Sequence, residues 1–392
     1  MATLDYSELK KKYHDFDSPR IVIEFNDKDI TEKHPEYSIS EVEIDLSAGY
    51  EASIASFSIY NCFDVYGVGY DIENLIDYIG IGTPVKIATG YSDTVSYVFS
   101  GIITKINFGF EDGNLPYIRV TAMDIKGIMM ANRYSRQLMA EYYHKAVQEI
   151  LESAPYQKLS DKGVFTAANI SATPDDPSAK GTPQGGSDQK ETPKIEMVSE
   201  SDYEFIVKAA KKFNYDFFIN YDEIVFRPAK ADTTPLMELT PGTGLRSYDI
   251  EYDITGQVAK VEVRATDSDK GEVISSAKEI SGTWSKGKNA AGLIKGSMKV
   301  YLDSSVHSEE EAGYRAESLV EDISYRYGTI SCDMIGIPDV IPGKFITVGG
   351  LGVCANNTFY LMGVKHVMTR KGEYKCVLTG KARTLELPAV SL

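Results

Sequence analysis

The sequence predicts a mainly β protein with some helices, an α+β fold that combines two related antiparallel β-barrel domains with a helix–hairpin middle domain. Apolar and polar residues alternate along much of the chain, and sustained helical spacing occurs in three segments. Alternation with a period of two is typical of half-buried antiparallel strands. The order of elements in the first third recurs in the last third, which indicates an internal duplication.

The first barrel domain is predicted over residues 20–128, after a charged N-terminal arm at residues 1–19. Its alternation is clearest where Val42, Ile44 and Leu46 are separated by acidic residues. This strand and a second one at residues 56–60 predict a hairpin across a loop that contains glycine. Further strands are predicted at residues 21–25, 84–89, 97–106 and 117–123, with at most a short helix at residues 71–78.

The middle domain is predicted to contain two helices and a hairpin. Apolar residues at helical spacing predict a helix over residues 138–152, which Pro155 ends. A second helix begins at Ser201, because Ser201 and Glu204 have the spacing of a capping box. Between the helices, residues 171–194 are rich in Pro, Gly, Ser, Asp and Lys and predict a linker without regular structure. The domain covers residues 129–235, with its hairpin at residues 215–220 and 223–227.

The second barrel domain is predicted over residues 236–385, with an inserted loop and helix. The loop is rich in Gly, Ser and Lys and surrounds Trp284, the single tryptophan. The inserted helix is predicted over residues 308–327, opened by a capping box of Ser308 and Glu311. Strands are predicted at residues 248–254, 258–265, 344–348, 359–367 and 374–379, before a C-terminal tail at residues 386–392.

The duplication is predicted from elements that match in order between the two barrel domains. The strand led by Pro84 matches the strand led by Pro342, and the next strand of each contains a glycine, Gly101 or Gly363. A glycine inside a strand marks a bend or a close approach of backbones, which small closed barrels need. The alternative is a chance similarity between two β-rich regions. The other matches are the hairpin 42–46 and 56–60 with 248–254 and 261–264, the helix 71–78 with 308–327, and the strand 118–122 with 374–378.

Composition excludes several classes of protein. The 392 residues include 41 Lys and Arg against 57 Asp and Glu, a net charge of −16, which argues against specific nucleic-acid binding. The N-terminus lacks the apolar segment of a secretory signal. The charge-free stretch 345–364 is broken by glycine and asparagine, so no membrane insertion is expected. Wide spacing favours free thiols in a reducing compartment for the four cysteines, Cys62, Cys332, Cys354 and Cys376.

No catalytic, cofactor-binding or metal-binding residue is predicted, and the chain is not expected to be an enzyme. The five histidines lack metal-ligand spacing, and His366 is interpreted as a sheet residue. The glycine-rich segment 349–352 lacks the Lys–Ser/Thr of a phosphate-binding loop, and Cys62 has no basic neighbour to activate it. Catalytic carboxylates are the open alternative. Solvation and the helix dipole nevertheless explain the acidic runs at 175–176 and 309–311.

Three groups of segments follow one another in order over most of residues 20–385. The first contains Gly90-Tyr91-Ser92-Asp93, the strand Val98-Phe99-Ser100-Gly101-Ile102-Ile103-Thr104 and residues 118–124. The second contains residues 201–206, 215–218 and 225–228, and the third contains residues 341–348 and 360–366. Together they resemble the tail-hub family of contractile phages, the late control gene D family. They are also similar to the N-terminal hub half of type VI secretion spike proteins.

The resemblance implies a structural hub of a phage tail or a tailocin-like particle. Such a hub is a homotrimer whose six barrel domains form a pseudo-sixfold ring between a sixfold tube and a threefold spike. The implied partners are a tail tube or tube-initiator protein, a spike protein, and baseplate or tape-measure proteins. Because the sequence shows no oligosaccharide-binding-fold spike domain, β-helix repeat or muramidase domain, the spike is expected to be a separate protein. Assembly is expected in the bacterial cytoplasm, within a virion tail or baseplate.

A second interpretation is a β-rich tail protein that binds a receptor or a glycan. Such a protein would expose a cluster of aromatic side chains with polar groups around it. Trp284 is the candidate, but it is a single residue in a loop of small and polar residues. The preferred interpretation of Trp284 is a partly buried anchor at a subunit or neighbour contact. The oligomeric state distinguishes the two functions, since the hub requires a stable trimer.

Overall fold

The computed structural model describes residues 3–385, except residues 65, 68, 77, 111, 113–114, 177–194, 267–270, 281–291 and 353–354. It confirms the predicted class, since the described chain is mainly antiparallel β with a small number of helices. Trp284, Cys354, most of the predicted linker and the C-terminal tail lie outside the described residues. Within the described part, no helix has the length and apolar character needed to cross a membrane.

The first module follows an N-terminal helix and a short 3-10 turn at His14–Phe16. Its main strands form a sheet in the order β3–β4–β9–β8–β7–β1, with every pair antiparallel. All six strands contribute side chains to one buried core, so the sheet curls around that core. The elements are α1 (Tyr6–Lys12), β1 (Pro19–Phe25), β2 (Lys28–Asp29), α2 (Ile30–Lys33), β3 (Ser38–Ser47), β4 (Ile54–Tyr60), β5 (Phe63–Asp64), β6 (Gly69–Tyr70), α3 (Ile72–Leu75), β7 (Pro84–Tyr91), β8 (Thr94–Gly109) and β9 (Tyr117–Met123).

The middle region has a second core, formed by helices against small sheets. The capping box at Ser201 is confirmed: the Ser201 hydroxyl accepts from the Glu204 N–H at 3.1 Å, and the Glu204 carboxylate accepts from the Ser201 N–H at 2.9 Å. The helix predicted over residues 138–152 is shorter, Tyr143–Leu151, and ends before Pro155 as predicted. Pro155 itself lies in the first turn of a second helix, Ala154–Asp161, which was not predicted. The elements are α4 (Lys126–Met129), β10 (Tyr134–Gln137), α5 (Tyr143–Leu151), α6 (Ala154–Asp161), β11 (Ala167–Ile170), β12 (Glu196–Glu200), α7 (Asp202–Phe213), β13 (Tyr215–Asn220) and β14 (Glu223–Pro228).

The second module contains six strands around a third core and an inserted unit with a core of its own. The six strands lie in the order β16–β20–β23–β22–β21–β15, in which only the β21–β15 pair is parallel. The inserted unit is a three-stranded sheet, β18–β17–β19, covered by a helix. The elements are β15 (Pro235–Leu239), β16 (Leu245–Tyr252), β17 (Lys260–Thr266), β18 (Val273–Glu279), β19 (Met298–Leu302), α8 (Glu309–Ser324), β20 (Gly328–Ile335), β21 (Phe345–Val348), β22 (Asn357–Met368) and β23 (Tyr374–Ala382).

The two modules therefore have the same strand order, and they also share an irregularity. Ile103 donates to the Thr83 carbonyl and accepts from the N–H of Gly82, and Leu361 makes the same two bonds with Lys344 and Gly343. In each module, the next residue along the long strand is a bulge. Gly82 and Gly343 both have φ in the left-handed region, +86° and +76°. A shared bend beside a shared bulge makes Ile103 and Leu361 structural counterparts.

Several matches predicted from the sequence are wrong in detail. Strand β16 pairs with β20, which was not predicted, and β17 belongs to the inserted sheet instead of forming a hairpin with β16. The helix at residues 309–324 lies between β16 and β20, so it has no counterpart in α3, which lies between β4 and β7. Gly101 and Gly363 are not counterparts, nor are Pro84 and Pro342. Alternation specifies which face of a strand is buried but does not specify its neighbour.

The capping box predicted for Ser308 is half formed. The Ser308 hydroxyl accepts from the Glu311 N–H at 3.1 Å, as predicted. The Glu311 carboxylate instead accepts from the N–H of His307 at 2.8 Å and pairs with Lys212 at 2.9 Å. Glu311 therefore connects the inserted unit to helix α7 of the middle region.

Candidate functional site

The two modules are joined edge to edge by strands β3 and β22. These strands pair in antiparallel fashion from Val42 opposite Met368 to Ser47 opposite Gly363, which makes one sheet of thirteen strands among the described residues. At the centre of the junction, Ile44 lies opposite His366, and both side chains are buried. The first module thus uses β3 as its joining edge, and the second module uses β22.

A buried polar cluster lies beside this junction. The Tyr374 hydroxyl is 2.8 Å from both the His366 Nδ1 and the Thr89 hydroxyl, which belongs to the first module. The Cys376 sulfur lies 3.2 Å from the same His366 nitrogen, and the Tyr91 hydroxyl donates to the Gly336 carbonyl at 2.8 Å. Hydrogen bonds from Thr89 and Tyr91 therefore connect the two modules through their interiors.

Burial determines the protonation states of the cluster. Burial lowers the pKa of His366 to about 4 and raises the pKa of Cys376 to about 12, so the histidine is neutral and the thiol is protonated near pH 7. A protonated, buried thiol is a poor nucleophile. His366 is a sheet residue, as predicted from the sequence. Its partners Tyr374, Thr89 and Tyr91 were missed, because tyrosines and threonines are common in strands and only the tertiary pairing brings these together.

The N-terminal arm packs across the same junction. Leu9 and Tyr13 are buried in the core of the second module, and the Tyr13 ring contacts the ring of Tyr91 from the first. The Tyr13 hydroxyl donates to Asp339 at 2.5 Å and lies 3.1 Å from the hydroxyl of Ser96. The charged arm predicted over residues 1–19 therefore contributes buried side chains to the junction between the modules.

Each module has more than one open strand edge, for example β15, which in the described part of the chain pairs with β21 alone, and one open edge in each module corresponds to an edge that is paired at the junction. Strand β16 pairs with β20 alone, and the end of β8 from Lys105 to Gly109 pairs with β9 alone, among the described strands. The open edges carry exposed apolar side chains: Tyr248 is 47% exposed, Phe108 is 49% exposed, and Phe110, just after β8, is 65% exposed. Unpaired edges with apolar side chains are typical sites of assembly between chains.

Other residues singled out in the sequence lie in buried positions or in turns. The thiol of Cys62 is buried, which raises its pKa, and Cys332 and Cys376 are also free and buried. Gly350 and Gly352 have positive φ in the connection from β21 to β22, as expected for a turn. The described residues contain no group of three or more His, Cys, Asp or Glu side chains that could hold a metal ion.

The interpretation of the acidic run at 175–176 as a solvated linker segment needs correction. The Asp175 carboxylate accepts from the N–H of Tyr143 at 3.0 Å, at the first turn of α5. Asp176 is buried, and its carboxylate lies 3.7 Å from His144 Nε2. These residues belong to the linker in sequence, but they cap a helix and pack against the middle region. The described part of the linker, residues 171–176, contains no helix or strand, as predicted.

The family model of the Alg8 N-terminal domain matches residues 126–370, more than half of the chain. The chain belongs to the Alg8 N-terminal domain family. Among curated proteins, no sequence matches the chain.

Solved structures with the same fold include phage tail proteins. One is the tail protein of Neisseria meningitidis MC58, with a TM-score of 0.63, 14% identity, and coverage of 93% of this chain and 96% of the other. A second is the 43 kDa tail protein of prophage MuSo2 from Shewanella oneidensis, with a TM-score of 0.65, 12% identity, and coverage of 93% and 98%. The chain therefore has the mainly antiparallel β fold of phage tail proteins.

A third similar structure is a component of the type VI secretion system of Escherichia coli. Its TM-score is 0.52 at 11% identity, over 90% of this chain and 76% of the other. That protein is described as structurally similar to two tail proteins of bacteriophage T4. At such low identities, the similarity establishes the fold.

Proposed function

We propose that the chain is the structural hub of a contractile injection system, a homotrimer with pseudo-sixfold symmetry that connects a sixfold tube to a threefold spike. The observation that carries the proposal is the pair of modules with one strand order, joined edge to edge, which leaves the same two kinds of edge open at the ends. In this proposal each module is a copy of one barrel that arose by duplication, and three chains supply six copies. The fold of phage tail proteins supports the same role.

The oligomeric state tests this proposal. Size-exclusion chromatography with light scattering should give about three times the chain mass of 43.3 kDa, at the same value over a wide range of concentrations. Negative-stain images of that species should show a ring of six similar modules with threefold symmetry. A chain that stays monomeric at every concentration contradicts the hub.

The proposed partners follow from the symmetry of such a ring. Six similar modules would contact a tail tube or tube-initiator protein, whereas the threefold face would hold a separate spike protein, with baseplate or tape-measure proteins nearby. The complex would be assembled in the bacterial cytoplasm as part of a virion tail or baseplate. Sedimentation of the purified trimer with assembled tube protein should recover both, and a variant that cannot form trimers should stay in the supernatant.

We also propose that the chain has no enzymatic activity. The buried and neutral state of the His366–Cys376 cluster supports this, because neither group is accessible to a substrate. The direct test is an assay against peptidoglycan and model glycosides. A hydrolase activity that disappears when one carboxylate is replaced contradicts the proposal.

A further inference from the structure

The junction inside the chain provides a template for contacts between chains. It consists of an outer strand of one module, β3, paired with the long strand of the other, β22. The corresponding strands at the open ends are β16 and the end of β8. If the two kinds of junction are equivalent, the register of the pairing within the chain specifies the register between chains.

The counterpart of each junction residue can be read across the sheets. In the first module, one row of directly paired residues crosses four strands from Ile103 through Ala122 and Ala55 to Ile44. In the second module, the row that begins at Leu361, the counterpart of Ile103, passes through Gly380 and Ile330 and ends at Ile250. Ile250 is therefore the counterpart of Ile44.

The same procedure gives the partner of Ile250. Inside the chain, Ile44 lies opposite His366, which is five residues after Leu361. The residue five positions after Ile103 is Phe108, and both intervals include the bulge. The position opposite Ile250 in an equivalent junction is therefore Phe108 of another copy.

We infer that strand β16 of one chain pairs in antiparallel register with the end of β8 of a second copy of this chain, with Ile250 opposite Phe108. This rests on the proposed trimer and adds its contact residues. The further pairs are Tyr252 with Ile106, Glu251 with Asn107, and Asp253 with Lys105.

Side-chain chemistry agrees with this register. Ile250 of β16 and Ile106 of β8 pack against the cores of their modules. Tyr252 and Phe108 are two residues further along and lie on the same strand faces, so apolar groups meet apolar groups. On the opposite face, Lys105 meets Asp253. A shift of one residue would place Phe108 opposite an acidic residue and turn apolar groups outward.

The junction within the chain also has an ion pair on its outer face, between Lys365 and Glu43 at 2.9 Å. The proposed pair of Lys105 and Asp253 would take a similar place between chains.

The proposed interface between chains is heterologous, because one chain supplies β16 and the next supplies β8. Such an interface closes into a ring when its rotation allows.

Paired cysteines test the register in the full chain. Glu251→Cys with Asn107→Cys places two thiols opposite each other between chains, so mild oxidation should convert most of the protein into covalent dimers and trimers on a non-reducing gel. The matched control, Asp249→Cys with Lys105→Cys, uses the same strands and the same face but is offset by four residues, or about 13 Å. It should give no more cross-linking than the parent chain, whose described cysteines are buried.

Charge reversal provides an independent test. Lys105→Glu and Asp253→Lys should each weaken the trimer at least about tenfold, since each creates a repulsive pair, and the double variant should recover most of the loss. Lys158→Glu, on the exposed side of helix α6, should have no effect. A trimer that cross-links through the offset pair, or through neither pair, overturns the register but leaves the hub standing. A monomer at every concentration overturns the hub itself.

Discussion

The two modules differ chiefly in the connection between their first two long strands. In the first module, β3 is joined to β4 by residues 48–53, whereas in the second, residues 253–327 lie between β16 and β20. The longer connection contains a sheet and a helix with a separate core, yet the six-strand order is unchanged. An insertion at the end of a hairpin leaves both strands adjacent, so a fold tolerates it well.

The modules also differ in what covers their outer strand. Val42 and Ile44 on β3 are buried at the junction, whereas Tyr248 on β16 is 47% exposed. The strands have corresponding places in their sheets, so the difference comes from the presence or absence of a neighbour. A polar substitution should therefore have opposite consequences at the two positions.

The largest effect is expected at Val42. Val42→Asp places a charge in the buried junction and should lower the free energy of unfolding by about 4 kcal/mol or more. Its counterpart Tyr248→Asp should cost less than about 1 kcal/mol in the monomer but abolish the trimer. Urea unfolding at a concentration where the chain is monomeric, together with light scattering, measures both. Equal losses of stability at the two sites would contradict the comparison.

Acid should destabilise the second module through His366, whose counterpart in the first is Phe108. The folded-state pKa of His366 is about 4, below the ordinary value of 6.5, so the unfolded chain takes up the proton first as the pH falls. The stability that depends on neutral His366 is fully present above pH 6.5 and is lost as the pH falls from 6.5 to about 4. The loss amounts to about 3 kcal/mol of the free energy of unfolding.

Urea unfolding between pH 7 and 4 should show this loss in the parent chain and a smaller loss in His366→Gln. The exposed His307→Gln is the control and should follow the parent. If His366→Gln shows the same pH dependence as the parent, the histidine is not the acid-sensitive group.

At the bend that the two modules share, alanine substitutions of the two glycines should differ less in their effect on the free energy of unfolding. Gly82→Ala should cost about 1 kcal/mol, because its left-handed φ strains a side chain and the space around it is open. Gly343→Ala should cost about twice as much, since an added Cβ would lie 2.6 Å from the Phe218 ring. Thermal unfolding of the two variants compares them directly, and a larger loss for Gly82→Ala would show that the bends are not equivalent.

The smallest effect is expected for the ion pair on the outer face of the junction. Lys365→Ala removes the contact with Glu43 and should cost about 0.5 kcal/mol, because both side chains are partly exposed. The loss should shrink in 1 M salt. A salt-independent loss above 1 kcal/mol would show that Lys365 acts through packing instead of charge.

Sequence patterns predicted much of the local structure and little of the pairing. The strand at residues 117–123 and the helix that begins after Ser201 were located to the residue, because alternation and capping are local signals. Strand β20 alternates but was not predicted, because its first residue, Gly328, is also a signal for the end of the preceding helix. The cluster around Tyr374 could not be found, because its members are far apart in the chain and common in sheets.

By itself, the sequence determined the secondary structure class and the residues that cap the helices after Ser201 and Ser308. These features depend on residues close together in the chain, where side-chain periodicity and hydrogen bonding to the nearby backbone decide the conformation. The tertiary structure decided that β16 pairs with β20 across an inserted unit and that β3 pairs with β22. It also decided which edges remain open. Backbone hydrogen bonds between strands are the same for every sequence, so the choice of partner depends on how whole cores pack.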